Sequence, residues 1–457
     1  MLNSSLWNKI NLFDLSESSM GNSFSLRLAR EKNWPYNFTK RAIEEYKKFM
    51  YLAATCDFMV SPSKIVDEVW HLHLTYTKSY NEFCNILGKK IDHIPSNFSE
   101  NDFVKFKIAK EKTAYEYERI FGSQPEQFWK NNDLYDQLNL EKEKYKLTVK
   151  ITFLLIIFIV LFYPLYLLTK SFIISIENPD FLVYLLSLFV VTIVGLEFYN
   201  RFRTNIILNT INKDSFVFNL TPLELVYLKN NNLQSVINGV VNNLIKRKIV
   251  FIKEDFKLYT SINLSEGERL KEPVLNYITT NGVYYPSVLR KVVFRSNYKN
   301  IKNSMDVLRK YFKKSKVFSN LILFNIFCLT LIFCFSFLRL SNGIVRDKPV
   351  AFLFVLIIIM TIASVYYIKY LIEMITQRII PDFYDLNIIT PKDLSENWAW
   401  NYFRYGDGIF SSDFIPLVKY TTKNLSNSNG NDGSCGSSCG SSCGSSCGGG
   451  CGGCGGD

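Results

Sequence analysis

ITFLLIIFIVLFYPLYLLT (residues 151–169) decides the architecture. The run carries no charged residue. A helix rising about 1.5 Å per residue needs about 20 residues to cross a hydrocarbon core of about 30 Å. Three more runs of the same kind follow: FLVYLLSLFVVTIVGLEFY (181–199), VFSNLILFNIFCLTLIFCFSFL (317–338) and VAFLFVLIIIMTIASVYYI (350–368). Backbone surrounded by lipid must satisfy its own hydrogen bonds, so each run is expected to be a transmembrane helix. The alternative, core helices of a soluble protein, is disfavoured because four such runs in one chain are hard to bury. Pro164 is expected to kink the first span. Asn325 is the only strongly polar residue deep in a span and is expected to hydrogen-bond to a neighbouring helix. No Asp, Glu, Lys, Arg or His sits at a span centre, and Glu197 lies near an end. This argues against a proton relay or ion pathway through the helices.

The flanks orient the spans. Lys142, Lys144, Lys146 and Lys150 precede the first, and Arg201 and Arg203 follow the second. Arg309, Lys310, Lys313, Lys314 and Lys316 precede the third. The loop between spans one and two holds Lys170 with Glu177 and Asp180, whereas the loop with Arg339, Arg346 and Lys348 is a mild contrary signal. The positive-inside tendency then puts both termini and residues 200–316 in the cytoplasm of a multi-pass inner or plasma-membrane protein, with the lipid bilayer as its first partner. The start, MLNSSLWNKINLFDLSESS, has no basic segment leading into an apolar core, so no secretory signal is expected. The soluble parts are expected in a reducing compartment, and a disulfide framework is not.

Outward from the spans, the chain of 457 residues divides into an extension (1–38), a helical domain (39–150), a first hairpin (151–199), a basic domain (200–316), a second hairpin (317–368), a further cytoplasmic segment (369–423) and a low-complexity tail (424–457). The fold class expected is mainly α: a helical N-terminal domain, four transmembrane helices, a winged-helix-like α+β domain and a disordered Gly/Cys tail. The formal charge of +12 is pooled, because residues 201–320 hold 21 Lys/Arg against 8 Asp/Glu.

In the 39–150 region Ala42, Ile43, Tyr46, Phe49, Met50 and Ala53 recur at helical spacing. A second helix is expected from a Ser61 cap and Pro62 through KIVDEVWHLHLTYTKSYNEFCNILG, with Gly88 as its stop. All three histidines of the chain lie here: His71, His73 and His93. Asp67 and His71 are one helical turn apart and share a face. His73, Thr77, Tyr80 and Cys84 share another, so one helix cannot bring His71 and His73 to one ion. A site would need His93, Asp92 or a residue from another helix. Asp67, His71, His73, Cys84 and His93 are the candidate ligands for zinc or another soft or borderline metal. Their spacing matches no standard zinc pattern. The competing reading is structural, with both helical histidines hydrogen-bonded at helix contacts and Trp70 as packing anchor. Nucleophilic catalysis by Cys84 and a histidine is disfavoured.

VDEVWHLHLTYTKSYNEFC followed by LGKKIDHIP resembles the signature of the glycine-rich domain-containing protein family. Asp67, Trp70, His71, His73, Leu74, Tyr80, Cys84, Gly88 and His93 carry the resemblance, and Phe121, Gly122 and Trp129 resemble its closing motif. The match covers about residues 40–130. It implies that the histidine motif is a family feature and brings no catalytic residues with it.

After span two, Thr221, Pro222 and Glu224 form a capping box, and LQSVINGVVNNLIKRK is expected to bury Leu233, Val236, Ile237, Val240, Val241, Leu244 and Ile245. IVFIK and FKLYT flank Glu254 and Asp255 as a hairpin, with further helices expected at about 265–280, 286–294 and 297–315. A basic winged helix can read DNA. Yet the helix before the hairpin has no arginine on its outer face, and the basic residues crowd beside span three, where anionic lipid is nearest. Nucleic acid is therefore disfavoured as a partner, and protein partners are expected for these domains.

The tail places Cys435, Cys439, Cys443, Cys447 and Cys451 four apart, with Cys454 three later. Nothing apolar accompanies them, so no packed core is expected. The thiols are candidate ligands for zinc or copper(I), or sites of acylation or oxidative cross-linking; a low-complexity tail without such a role is the alternative. With LTPLELVYL and the multi-span layout, this tail resembles an uncharacterised family of bacterial multi-pass membrane proteins over about 140–457, which bears on architecture only. No nucleotide loop, nucleophile elbow or paired-carboxylate signature is present. The favoured reading is an interaction or metal-handling scaffold. A membrane-anchored nucleic-acid-binding regulator and a metal-dependent enzyme are the alternatives.

Overall fold

The structure is a computed structural model that describes residues 3–16, 24–94, 100–260, 269, 272–293 and 296–428. The six tail cysteines fall outside the described residues, as does most of the helix expected at about 265–280. The described residues are mainly helical, with one small sheet. Six helices open it: α1 (Ser4–Leu12), α2 (Phe24–Lys32), α3 (Tyr36–Thr55), α4 (Lys64–Leu74), α5 (Thr77–Leu87) and α6 (Glu100–Phe121), followed by the single turn α7 (Glu126–Trp129). Among the described residues, four helices are long and apolar enough to cross a membrane: α8 (Leu147–Ser175), α9 (Asn178–Thr210), α14 (Lys316–Val345) and α15 (Ala351–Met374). Each extends beyond the apolar run that marks it. Between the two pairs lie α10 (Pro222–Asn230), α11 (Leu233–Lys246), β1 (Val250–Ile252), β2 (Lys257–Thr260), β3 (Val283–Tyr284), α12 (Tyr285–Val292) and α13 (Ser296–Lys313). The chain closes through α16 (Ile380–Asn387), α17 (Pro391–Glu396), α18 (Trp398–Tyr405) and α19 (Phe414–Ser428).

The expected hairpin forms, with Val250 opposite Thr260 and Ile252 opposite Leu258, and β3 adds a third antiparallel strand through Leu258 and Val283. The capping box also forms: Thr221 accepts from the Glu224 amide, and Glu224 accepts from the Thr221 amide. Glu224 reaches further, because its Oε1 accepts from the Tyr36 amide at 2.9 Å and so caps α3 as well. Burial raises its pKa.

Two local expectations change. Ser63, not Ser61, caps α4, its hydroxyl accepting from the Val66 amide at 3.2 Å, which leaves Pro62 outside the helix. The single helix expected through residue 87 breaks at Thr75–Tyr76 into α4 and α5. Gly88 does end α5, at φ +79, a conformation that costs glycine little.

One apolar core runs through all three globular segments. Phe38 stacks on Phe128 at 4.9 Å and meets Phe216 edge-on at 6.4 Å. The Tyr384 hydroxyl takes the Leu220 amide at 2.6 Å and donates to the Val217 carbonyl at 2.9 Å. Glu143 and Lys314 pair by a backbone bond, as do Lys316 and Glu141, tying together the starts of α8 and α14. Ile207 and Leu208 of α9, Phe318 and Leu321 of α14, and Leu371 and Met374 of α15 belong to this same core. The globular segments therefore gather at one end of the four long helices.

The helices are joined internally by amides. Asn200 and Asn325, both fully buried, exchange hydrogen bonds at 2.9 and 2.8 Å, and the Asn200 amide also donates to the Tyr367 hydroxyl at 2.8 Å. Helices α9, α14 and α15 thus share one polar knot in apolar surroundings. Past Met374 the fourth helix widens into a π-turn, Ile375–Ile379, before Pro381. Proline has no N–H to continue the α-ladder and its ring crowds the preceding turn, which accounts for the break.

Candidate metal centre

Asp67 stands in the first turn of α4 and His71 one turn later, so both side chains leave the same face. Gly88 then turns the chain back across that face. Trp70 Nε1 donates to the Tyr80 hydroxyl at 3.2 Å, and that hydroxyl donates to the Ile91 carbonyl, which pins the returning segment two residues before His93. The His93 ring stands edge-on to Trp70 at 4.7 Å and to His71 at 4.6 Å.

One carboxylate and two imidazole nitrogens converge. His71 Nε2 and His93 Nε2 are 2.9 Å apart, His93 Nε2 is 3.1 Å from Asp67 Oδ1, and His71 Nε2 is 3.4 Å from Asp67 Oδ2. A tetrahedral zinc with bonds of about 2.0–2.2 Å holds its ligand atoms about 3.3–3.5 Å apart. The two imidazole nitrogens reach that spacing by parting a few tenths of an ångström, and with one carboxylate oxygen they lie within 4.8 Å of one another. Without a cation, one imidazole must offer an N–H to the lone pair of the other beside a shared carboxylate.

Asp67 and His93 also line a cavity of about 350 Å³. Its walls include Phe49, Val60, Trp70, Ile91 and Phe106, with Ser61 and Lys64 at its polar side. Three protein ligands beside a cavity leave a coordination position for an exogenous group.

His73 does not join them. It is fully buried on the other face of α4, among Phe24, Tyr46, Tyr80 and Phe83. Ser79 Oγ donates to the Leu15 carbonyl at 3.1 Å and so accepts from His73 Nε2–H at 3.2 Å. Nδ1 then accepts from the Tyr46 hydroxyl at 2.7 Å. Burial lowers the His73 pKa to about 3, so the ring is neutral. Cys84 is buried beside Tyr80, also apart from the converging atoms. Of the five expected ligands, the structure brings Asp67, His71 and His93 together and leaves His73 and Cys84 in the core.

The closing motif is structural. Trp129 Nε1 and the Tyr117 hydroxyl each donate to buried Glu45 at 2.7 Å. Phe121 packs on Trp7 and Tyr51, and Gly122 ends α6 at φ +83.

A family model described as UCP032817-like matches residues 30–107. That stretch contains all three converging residues and His73. No curated protein and no solved structure matches the chain.

The basic domain offers no comparable site for nucleic acid on α11. That helix is buried along most of its length, including Asn238, Asn242 and Asn243. A Cβ at Gly239 would sit 2.3 Å from the Tyr402 ring, Tyr402 donates to the Ser235 carbonyl at 2.7 Å, and Asn242 accepts from the Ser411 amide at 2.9 Å. A helix so covered cannot enter a major groove.

Proposed function

We propose that this is a membrane-anchored metal-binding protein in which Asp67, His71 and His93 hold a divalent transition ion, zinc in the first instance. The convergence of two Nε2 atoms and one carboxylate within 3.4 Å carries the reading. Trp70, Tyr80 and Gly88 act as positioning residues, since they carry His93 to the face of α4. The open position beside the cavity fits a metal-handling role, in which a small ligand or a partner's side chain completes the coordination. We read the four long helices as spans of the inner or plasma membrane. The gathering of Lys142, Lys144, Lys146, Arg203, Arg309, Lys310 and Lys314 at the globular end supports a cytoplasmic body with both termini inside. Burial of α11 disfavours the nucleic-acid reading.

Metal content tests the proposal. The full chain, with Cys435, Cys439, Cys443, Cys447, Cys451 and Cys454 replaced by Ser so that tail thiols contribute nothing, should bind one zinc or cobalt(II) per chain. His71→Ala and His93→Ala should each reduce affinity by at least tenfold, while His73→Gln should not. Equal binding by all three variants would refute the assignment.

A further inference from the structure

Where α9 and the fourth helix leave their apolar runs, a second cavity of about 400 Å³ opens between them. Arg201, Asn205 and Asn209 line it from one stripe of α9, and Arg378, Asp382 and Asn387 from the π-turn and α16. It lies at the globular end of the bundle, one or two helical turns beyond the last apolar residues of span two. The widened turn at Ile375–Ile379, forced ahead of Pro381, places Arg378 there. Each guanidinium is anchored by a neighbour: Arg201 Nε donates to Glu197 at 2.8 Å, and Arg378 Nη1 to the Tyr370 hydroxyl at 3.0 Å. Each has further N–H donors in a planar fork, and the three carboxamides add more.

The surroundings say what kind of molecule arrives. Phe198 and Phe202, one helical turn apart on α9, are 73% and 66% exposed, and Leu386, which lines the cavity, is 80% exposed. A ligand there meets apolar surface on one flank and fixed cations and amides on the other, at the depth of lipid head groups. We propose that this cavity binds the phosphodiester head group of a glycerophospholipid. Arg201 and Arg378 take the phosphate, Asp382 takes the amine or hydroxyl beyond it, and an acyl chain lies along Phe198 and Phe202. The site is independent of the metal centre.

Native mass spectrometry of the full chain in mild detergent, titrated with phosphatidylethanolamine, tests it. The wild type should retain one lipid. Arg201→Gln with Arg378→Gln should weaken retention by at least tenfold, since each lost charge-assisted contact is worth about one decade or more. Asn209→Asp, which leaves both arginines and adds a repelling carboxylate, should do the same. Variants that melt like the wild type and still hold the lipid would overturn the proposal. Equal retention of diacylglycerol would reduce the site to an apolar groove, and displacement by millimolar inorganic phosphate would make the free ion the ligand; either overturns it.

Discussion

His73 makes the globular body sensitive to mild acid, and the size of the effect follows from its burial. Its folded pKa of about 3 lies below the ordinary histidine value of 6.5. The unfolded chain therefore binds a proton in this window that the folded chain refuses, and stability is lost as pH falls. The stabilisation is fully present above 6.5 and declines down to about 3. One pH unit is worth about 1.4 kcal/mol, so acidification to pH 5 costs about 2 kcal/mol from this residue alone. For a body of about 300 residues, whose unfolding entropy is about 2.1 cal/mol/K per residue, that is a fall of about 3 °C in melting temperature. All six tryptophans (Trp7, Trp34, Trp70, Trp129, Trp398 and Trp400) lie outside the four apolar runs, so their fluorescence follows this body and not the spans. Glu224, whose folded pKa is raised by burial, works in the opposite direction. The measurement is accordingly the difference between the wild type and His73→Gln, melted in the same detergent at pH 7.5 and pH 5. The wild type should lose about 3 °C more than the variant. Parallel losses would show that His73 accepts its proton without unfolding, and the account of the buried Tyr46–His73–Ser79 chain would fail.

Asn200→Leu or Asn325→Leu should each destabilise the bundle by about 1–2 kcal/mol by stranding the partner amide, while the double replacement should cost less than the two singles together; additivity in a double-mutant cycle of detergent melts would deny the pairing. In intact cells, a membrane-impermeant maleimide should label Lys348→Cys from outside and reach Lys130→Cys only after lysis, in a chain whose tail cysteines are serine. The reverse pattern would invert the proposed topology.

What could be read from residues alone was what is local. The four spans are legible because a window of about 20 residues contains the whole signal. Asp67 and His71 share a face by helical arithmetic, and the same arithmetic separates His73 from them. His93 was a candidate but not a placement, because its position depends on a left-handed glycine and a tyrosine hydroxyl gripping a loop carbonyl. Asn200 carries no such local signal, because it stands one residue past the second apolar run. A polar residue at the edge of such a run, facing an amide in another span, is the signal that would have found it. The hairpin and its two preceding helices suggest a DNA reader, but the chain from Trp398 onward covers α11. The Ser235–Tyr402 bond spans 167 residues, and no periodicity in α11 announces its partner.

The single core shared by segments on either side of both hairpins has a consequence for synthesis. When the first hairpin leaves the ribosome, Phe38 and Phe128 have no Phe216 to meet. When residues 211–315 follow, Leu220 has no Tyr384 and Gly239 no Tyr402. Apolar surface on the early segments must be shielded until the last stretch, through about Val418, has been made. Truncation anywhere before that point should leave a chain that inserts its helices yet remains a client of chaperones and quality-control proteases.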